Sequence, residues 1–185
     1  MNSFVILDRD GVINRDSMDY IKSADEWVPI AGSLEAIALL TVNKIDVYIA
    51  TNQAGIARGK LTLDALDRIH KKLINEVELA GGKIVDIKFC PHHPKEGCGC
   101  RKPKPGLLEA LARTHQLDLK KGCYVGDSLK DLRAAEAAGC AGILVLTGNG
   151  IETRQLRPAH EHVFQDLLAF ARDMTSQDRS EVISP

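Results

Sequence analysis

Short apolar runs alternating with amphipathic stretches fix what this chain can fold into. Residues 4–7, 47–50, 84–89, 124–125 and 143–146 are rich in Val, Ile, Leu and aromatic side chains and are short, so they read as buried strands. Between them, residues 33–43 carry Leu34, Ile37, Ala38 and Leu40 on one side, and residues 62–80 carry Leu66, Ile69, Leu73 and Val77 at steps of three and four. That is the stripe of a helix packed on one face. Residues 106–115 and 129–138 predict two shorter helices, the second closed by Gly139, because glycine readily takes the left-handed turn that ends a helix. A last helix is expected over about 163–174. Strands alternating with helices imply βαβ units. The expected fold is α/β: a single Rossmann-like doubly wound domain over residues 1–175 with a mostly parallel sheet. No large insertion follows Asp10 or Thr51, so no large cap domain is expected, and the polar residues 176–185 predict a disordered tail.

Composition narrows the partners. A net charge of -1 with both signs mixed throughout, and only 4% aromatic residues, leaves no electrostatic footprint for nucleic acid or an anionic membrane. No apolar run approaches a membrane span, and the first residues lack the features of a secretory signal. A cytoplasmic location, a small-molecule partner and, by default, a monomer are the expectations.

In open α/β sheets, ligands bind beyond the carboxyl ends of the strands, and polar residues stand at several of those ends here. Asp8 and Asp10 follow the first run, Thr51-Asn52-Gln53 the second, and Gly126-Asp127-Ser128, with Asp131 beyond, the fourth. Taken alone, Asp-Arg-Asp-Gly reads equally as a turn. Arg101-Lys102-Pro103-Lys104-Pro105-Gly106 adds cations just before a helix. Acids, a hydroxyl and a cation at one sheet edge suit phosphoryl transfer, where positioning and charge stabilisation supply the catalysis.

The five cysteines are unevenly spread. In Cys90-Pro91-His92-His93 and Cys98-Gly99-Cys100, the pairs C-x-H (Cys90, His92) and C-x-C (Cys98, Cys100) are separated by five residues, a spacing that can wrap one tetrahedral Zn²⁺. Cys90, His92, Cys98 and Cys100 would fill all four positions, which makes the zinc structural: a closed site leaves no place for a reacting water. His92 is preferred to His93 because neighbours in an extended loop point in opposite directions. Such a Gly- and Pro-rich loop, residues 90–100, buries too little to order itself, and zinc binding would fix the cations that follow it. Cys123 and Cys140 read as small packing residues.

The ordered set of strand plus D-x-D-G (Asp8–Gly11), strand plus Thr51, a lysine within 101–104, and Gly126-Asp127 with Asp131 resembles the haloacid dehalogenase superfamily of aspartate-dependent phosphatases over residues 4–148. That resemblance implies that Asp8 attacks phosphorus and that Asp10 moves the proton. It further implies Mg²⁺ on Asp8, the Asp10 carbonyl and Asp127, with Thr51 donating to the phosphoryl oxygens and Lys102 or Lys104 supplying positive charge. Asp-Arg-Asp-Gly-Val-Ile-Asn, Thr-Asn-Gln-Ala-Gly-Ile-Ala-Arg-Gly and Cys-Pro-His-His-Pro with Arg-Lys-Pro narrow it to the heptose bisphosphate phosphatases, with histidinol-phosphate phosphatases as relatives. This branch favours Lys102, with Arg101 reaching the substrate. It implies removal of the 7-phosphate from heptose 1,7-bisphosphate on the way to lipopolysaccharide core. Asp16, Asp19, Tyr20, Asn52, Gln53, Ala54 and Arg101 are the implied substrate contacts. The loop 16–20 is one residue longer than the pattern of that branch, and the zinc loop is shorter. Arg58 or Arg101 can fork onto a distal phosphate, and basic surroundings suit a bisphosphate better than the cationic amine of histidinol phosphate. A zinc-stabilised nucleic-acid module, the reading of another class, is disfavoured by the near-neutral charge and few aromatics.

Overall fold

In a computed structural model describing residues 3–180, the chain forms a six-stranded sheet of order β3-β2-β1-β4-β5-β6. The strands are β1 (Phe4–Leu7), β2 (Asp46–Asn52), β3 (Asp86–Cys90), β4 (Cys123–Gly126), β5 (Ala141–Val145) and β6 (Val163–Phe164). Every pairing is parallel, with Leu7 beside Ile49 on one side and beside Val125 on the other. The order reverses between β1 and β4, which makes the gap above that pair the natural binding crevice of a doubly wound sheet.

Strand alternation sends successive side chains to opposite faces. Val5, Leu7, Val47, Ile49, Val125 and Val145 pack with α1 (Ser33–Val42), α2 (Leu63–Leu79) and α6 (Leu167–Ser180). Phe4, Ile6, Tyr48, Ala50 and Tyr124 pack with α3 (Gly106–His115) and α4 (Leu129–Ala138). Helix starts follow local chemistry: Thr62 Oγ1 accepts from the Ala65 amide at 3.0 Å, and the Ser128 amide donates to Asp131. The connection of residues 8–32 doubles back on itself, with Ile30 N bonded to Ile13 O at 2.9 Å and Trp27 fully buried beneath it.

The single doubly wound domain and its parallel sheet match expectation. At the carboxyl end the expected helix over 163–174 is corrected. Val163 and Phe164 instead pair with Leu144 and Val145 as a short edge strand, as suits a β-branched and an aromatic residue. Asp166 then accepts from the Ala169 amide at 2.8 Å and starts α6. A further helix, α5 (Gly150–Leu156), carries no strong apolar stripe and is absent from the sequence reading. Strand β3 begins at Asp86, two residues later than expected, and β2 extends through Asn52. Helix α6 runs on to Ser180, past the start of the expected tail, and residues 181–185 lie outside the described residues.

Candidate active site and metal centre

Asp8 leaves β1 with its amide bonded to Val125 O at 2.8 Å, which sets it beside the end of β4 and hence beside Asp127. Thr51 stands near the end of the next strand, β2. The carboxylates of Asp8, Asp127 and Asp131 lie within 4.8 Å of one another, all buried.

Lys102 enters beneath this cluster. Its Nζ lies 2.8 Å from Asp8 Oδ1 and 2.8 Å from Asp131 Oδ1, and bonds the Tyr124 hydroxyl at 2.6 Å and Ala50 O at 3.1 Å. Its backbone is pinned on both sides by Asn52, whose Oδ1 accepts from Lys102 N at 3.1 Å and whose Nδ2 donates to Lys102 O at 3.2 Å. Lys104 is elsewhere, donating to Gly97 O and Cys98 O at 2.6 and 2.9 Å and tying the cysteine loop. Geometry therefore separates the two lysines that the sequence left open. Burial pushes Asp8 up to about 7 against the pull of Lys102, and Asp127 up to about 6 with Asp131 adding to the effect. Burial acts the same way on Asp131, but Lys102 overrides it and holds that carboxyl below its ordinary range.

Asp10 is turned to the other side. Its Oδ1 accepts from Arg9 Nη2 at 2.9 Å and Asn14 Nδ2 at 2.9 Å, and its Oδ2 accepts from Gln53 Nε2 at 3.0 Å. Against the effect of burial, Arg9 and these amides hold the Asp10 carboxyl below the usual range. Gln53 also donates to Thr51 Oγ1 at 2.9 Å, so the Thr51 hydrogen stays free to donate. Arg9, Asn14 and Tyr124 were not anticipated. Strand alternation sends a residue between two site aspartates to the far face, but the chain leaves the sheet at Asp8 and Arg9 turns back to Asp10.

Asp127 is held by Asn149, whose amide and Nδ2 donate to Oδ2 at 2.8 and 2.9 Å. Its Oδ1 is buried without a hydrogen-bond partner. An orphaned carboxylate oxygen beside the Asp8 carboxylate suits a hard divalent cation, which prefers oxygen ligands. Asp131 is already committed to Lys102 and Ser128. Nothing in the sequence marked Asn149, which comes from the loop after β5.

The cleft above Asp8 and Asp10 is lined by Asp16, Ser17, Tyr20, Thr51, Asn52, Gln53, Ala54, Arg58, Arg101 and Lys130. All the expected substrate contacts border it except Asp19, which pairs with Lys22 and Lys60 at the loop's exposed tip. Lys130, the second residue of α4, adds a further cation at the cleft that no motif in the sequence marks.

The second cluster brings Cys90, His92, Cys98 and Cys100 together, with their ligand atoms within 4.8 Å. Sulfur separations are 3.2 Å for Cys90–Cys100, 3.7 Å for Cys90–Cys98 and 3.6 Å for Cys98–Cys100; His92 Nδ1 lies 3.5 Å from Cys90 and 3.2 Å from Cys100. A tetrahedron of thiolates at zinc–sulfur bonding distance has edges of about 3.8 Å, so the donors fit. Burial and the two neighbouring thiols push Cys100 up to about 12; three thiolates share this space only around a cation. His93 instead accepts from the Lys95 amide at 3.1 Å and starts the short turn Pro94–Glu96.

A family model described as HAD-hydrolase-like matches residues 99–170. A D-glycero-beta-D-manno-heptose-1,7-bisphosphate 7-phosphatase from Pseudomonas putida is 50% identical over 171 residues, covering 92% of this chain and 98% of that protein. Among solved structures, D,D-heptose 1,7-bisphosphate phosphatase from Bordetella bronchiseptica, complexed with magnesium and phosphate, has a TM-score of 0.92 at 46% identity over 95% of this chain and 99% of that one. The D,D-heptose 1,7-bisphosphate phosphatase of Burkholderia thailandensis gives 0.74 at 39% identity, covering 94% and 99%. Identity of this order over nearly the whole of both chains means that the protein belongs to the heptose-1,7-bisphosphate 7-phosphatase family of haloacid-dehalogenase-like hydrolases, which are phosphoric monoester hydrolases.

Proposed function

We propose that the chain hydrolyses the 7-phosphate of D-glycero-D-manno-heptose 1,7-bisphosphate, in the β anomer for which its relatives are named, through a phosphorylated Asp8. This would place it on the route to the nucleotide-activated heptose of lipopolysaccharide core. The observation that carries the reading is Asp8 at the floor of the cleft, 2.8 Å from Lys102 and clustered with Asp127, with Arg58 and Arg101 on the cleft wall.

In the first half-reaction the Asp8 carboxylate attacks phosphorus and the sugar C7 oxygen leaves, taking from Asp10 a proton that this carboxyl, ionised in the free chain under the hold of Arg9, Asn14 and Gln53, first takes up from water in the cleft. Water then attacks the aspartyl phosphate, Asp10 takes the proton from that water, and phosphate departs with Asp8 restored. The Thr51 hydroxyl donates to a phosphoryl oxygen, and Lys102 offsets the charge gathered around Asp8. Mg²⁺ held by Asp8, Asp127 and the Asp10 carbonyl, when bound, supplies the further positive charge that lets a carboxylate approach a phosphate. Arg58 and Arg101 bind the distal phosphate, a task for which a planar fork is well matched. The Cys90, His92, Cys98 and Cys100 cluster takes a structural Zn²⁺.

Phosphate release from sugar bisphosphates and from histidinol phosphate, with Mg²⁺ and then with EDTA, tests the reading. Heptose bisphosphate should turn over fastest, EDTA should stop it, and Asp8→Asn should abolish it. Turnover by Asp8→Asn, or a preference for histidinol phosphate, would overturn the assignment.

A further inference from the structure

Between the two aspartates at the end of β1 stands Arg9, whose side chain is only 1% exposed. Its guanidinium grips the neighbouring carboxylate through two nitrogens: Nε and Nη2 lie 3.1 and 2.9 Å from Asp10 Oδ1, and Nη2 also lies 3.0 Å from Oδ2. The third nitrogen, Nη1, is 3.4 Å from Nε2 of His70 on α2. A guanidinium only donates, so His70 turns its ring lone pair toward it. His70 is set in turn against Phe89 of β3, the rings edge to face with centroids 5.9 Å apart. Asn14 and Gln53 complete the grip on Asp10.

Charge balance alone does not account for this arrangement. Asp10 keeps 20% of its side chain exposed at the cleft, where water can solvate it, whereas burying an arginine carries a desolvation penalty. What the buried fork adds is direction, because a guanidinium fixes a carboxylate plane in a way that a point charge does not. We propose that Arg9, braced by His70, is a positioning residue that orients the Asp10 carboxylate for proton transfer to the leaving oxygen and from the attacking water. This rests on the reading of Asp10 as the proton-transfer group given above.

The test compares two leaving groups. A sugar alkoxide needs a proton as it departs and p-nitrophenolate does not, so loss of oriented proton transfer should lower kcat/KM for heptose 1,7-bisphosphate far more than for p-nitrophenyl phosphate. Asp10→Asn should show this split, and Arg9→Met should reproduce it, with a loss of about 100-fold on the sugar substrate. Arg9→Lys keeps the charge without the fork and should show the same split; it serves in place of Arg9→Met where that variant does not fold. If Asp10→Asn shows the split but the Arg9 variants lower both substrates equally or neither, the positioning role is wrong and the Asp10 reading stands. If Asp10→Asn shows no split, the Asp10 reading fails and the Arg9 role falls with it.

Discussion

The ammonium of Lys102 lies 2.8 Å from Oδ1 of Asp8, and both side chains are almost wholly shielded from solvent. Replacing Lys102 with methionine would leave Asp8 and Asp131 facing each other in a buried space. Breaking a buried ion pair in this way costs about 3–5 kcal/mol. Lys102→Met should therefore unfold at markedly lower urea and lose at least about 100-fold in kcat. Tyr124→Phe removes one hydrogen-bond partner of the same ammonium, at 2.6 Å. It should cost about 1–2 kcal/mol with a much smaller effect on turnover. Equal losses of activity in the two variants would argue against the ammonium as the working group.

Gly11 has a φ of +83°, and a Cβ placed there would stand 2.1 Å from Asp127 Oδ2. Gly11→Ala must displace that carboxylate as well as strain the backbone, so kcat should fall by about 100-fold with about 1–3 kcal/mol lost in stability. Gly59, at φ +67°, has no atom within 4 Å of the same position. Gly59→Ala should lose stability alone, and a matching loss of turnover there would refute the displacement argument.

Cys100 is joined to Lys102 through Arg101 alone, so the sulfur cluster should govern the cation under Asp8. Metal analysis of protein purified without added zinc should find about one zinc per chain, as a closed site of four ligands requires. Cys100→Ser should lose the metal, melt at a lower temperature and turn over more slowly. Full activity in a zinc-free chain would defeat this link.

His70 gives the protein a dependence on mild acid. Burial and the nearby Arg9 hold its imidazole down at about 4 from an ordinary 6.5. The unfolded chain therefore takes up a proton below about pH 6.5 that the folded chain refuses until about pH 4. Stability contributed by the neutral ring is complete above 6.5 and is lost as pH falls through that window, on the order of 3 kcal/mol in all. His70→Gln keeps an acceptor for Arg9 and removes the titration. Urea unfolding between pH 4 and 7 should show a shallower fall for this variant, and parallel curves would refute the account.

Much of this candidate site is legible in the sequence. Asp8, Thr51 and Asp127 were legible because each follows an apolar run, and a parallel sheet delivers the ends of its strands to one edge. The cysteine cluster was legible because its four donors sit within eleven positions of chain. Arg9 was not, since its direction depends on where the chain abandons the strand. Asn149 arrives from a distant loop with no local pattern, and Tyr124 looked like any other strand residue until its hydroxyl met Lys102. Val163 and Phe164 form too short a pair for periodicity to separate strand from helix; the neighbouring β5 decides it.

Strand β4 reaches its place between β1 and β5 only after most of the chain lies before it in sequence. A growing chain that ends before Cys123 can lay β1 against β2, and β2 against β3, but β1 then presents an open edge, the kind of surface that invites pairing with other chains. Asp8 has neither Asp127 nor Asp131 beside it at that stage. Synthesis thus withholds the complete carboxylate cluster until β4, which leads directly into Asp127 and Asp131, has also covered the open edge of β1.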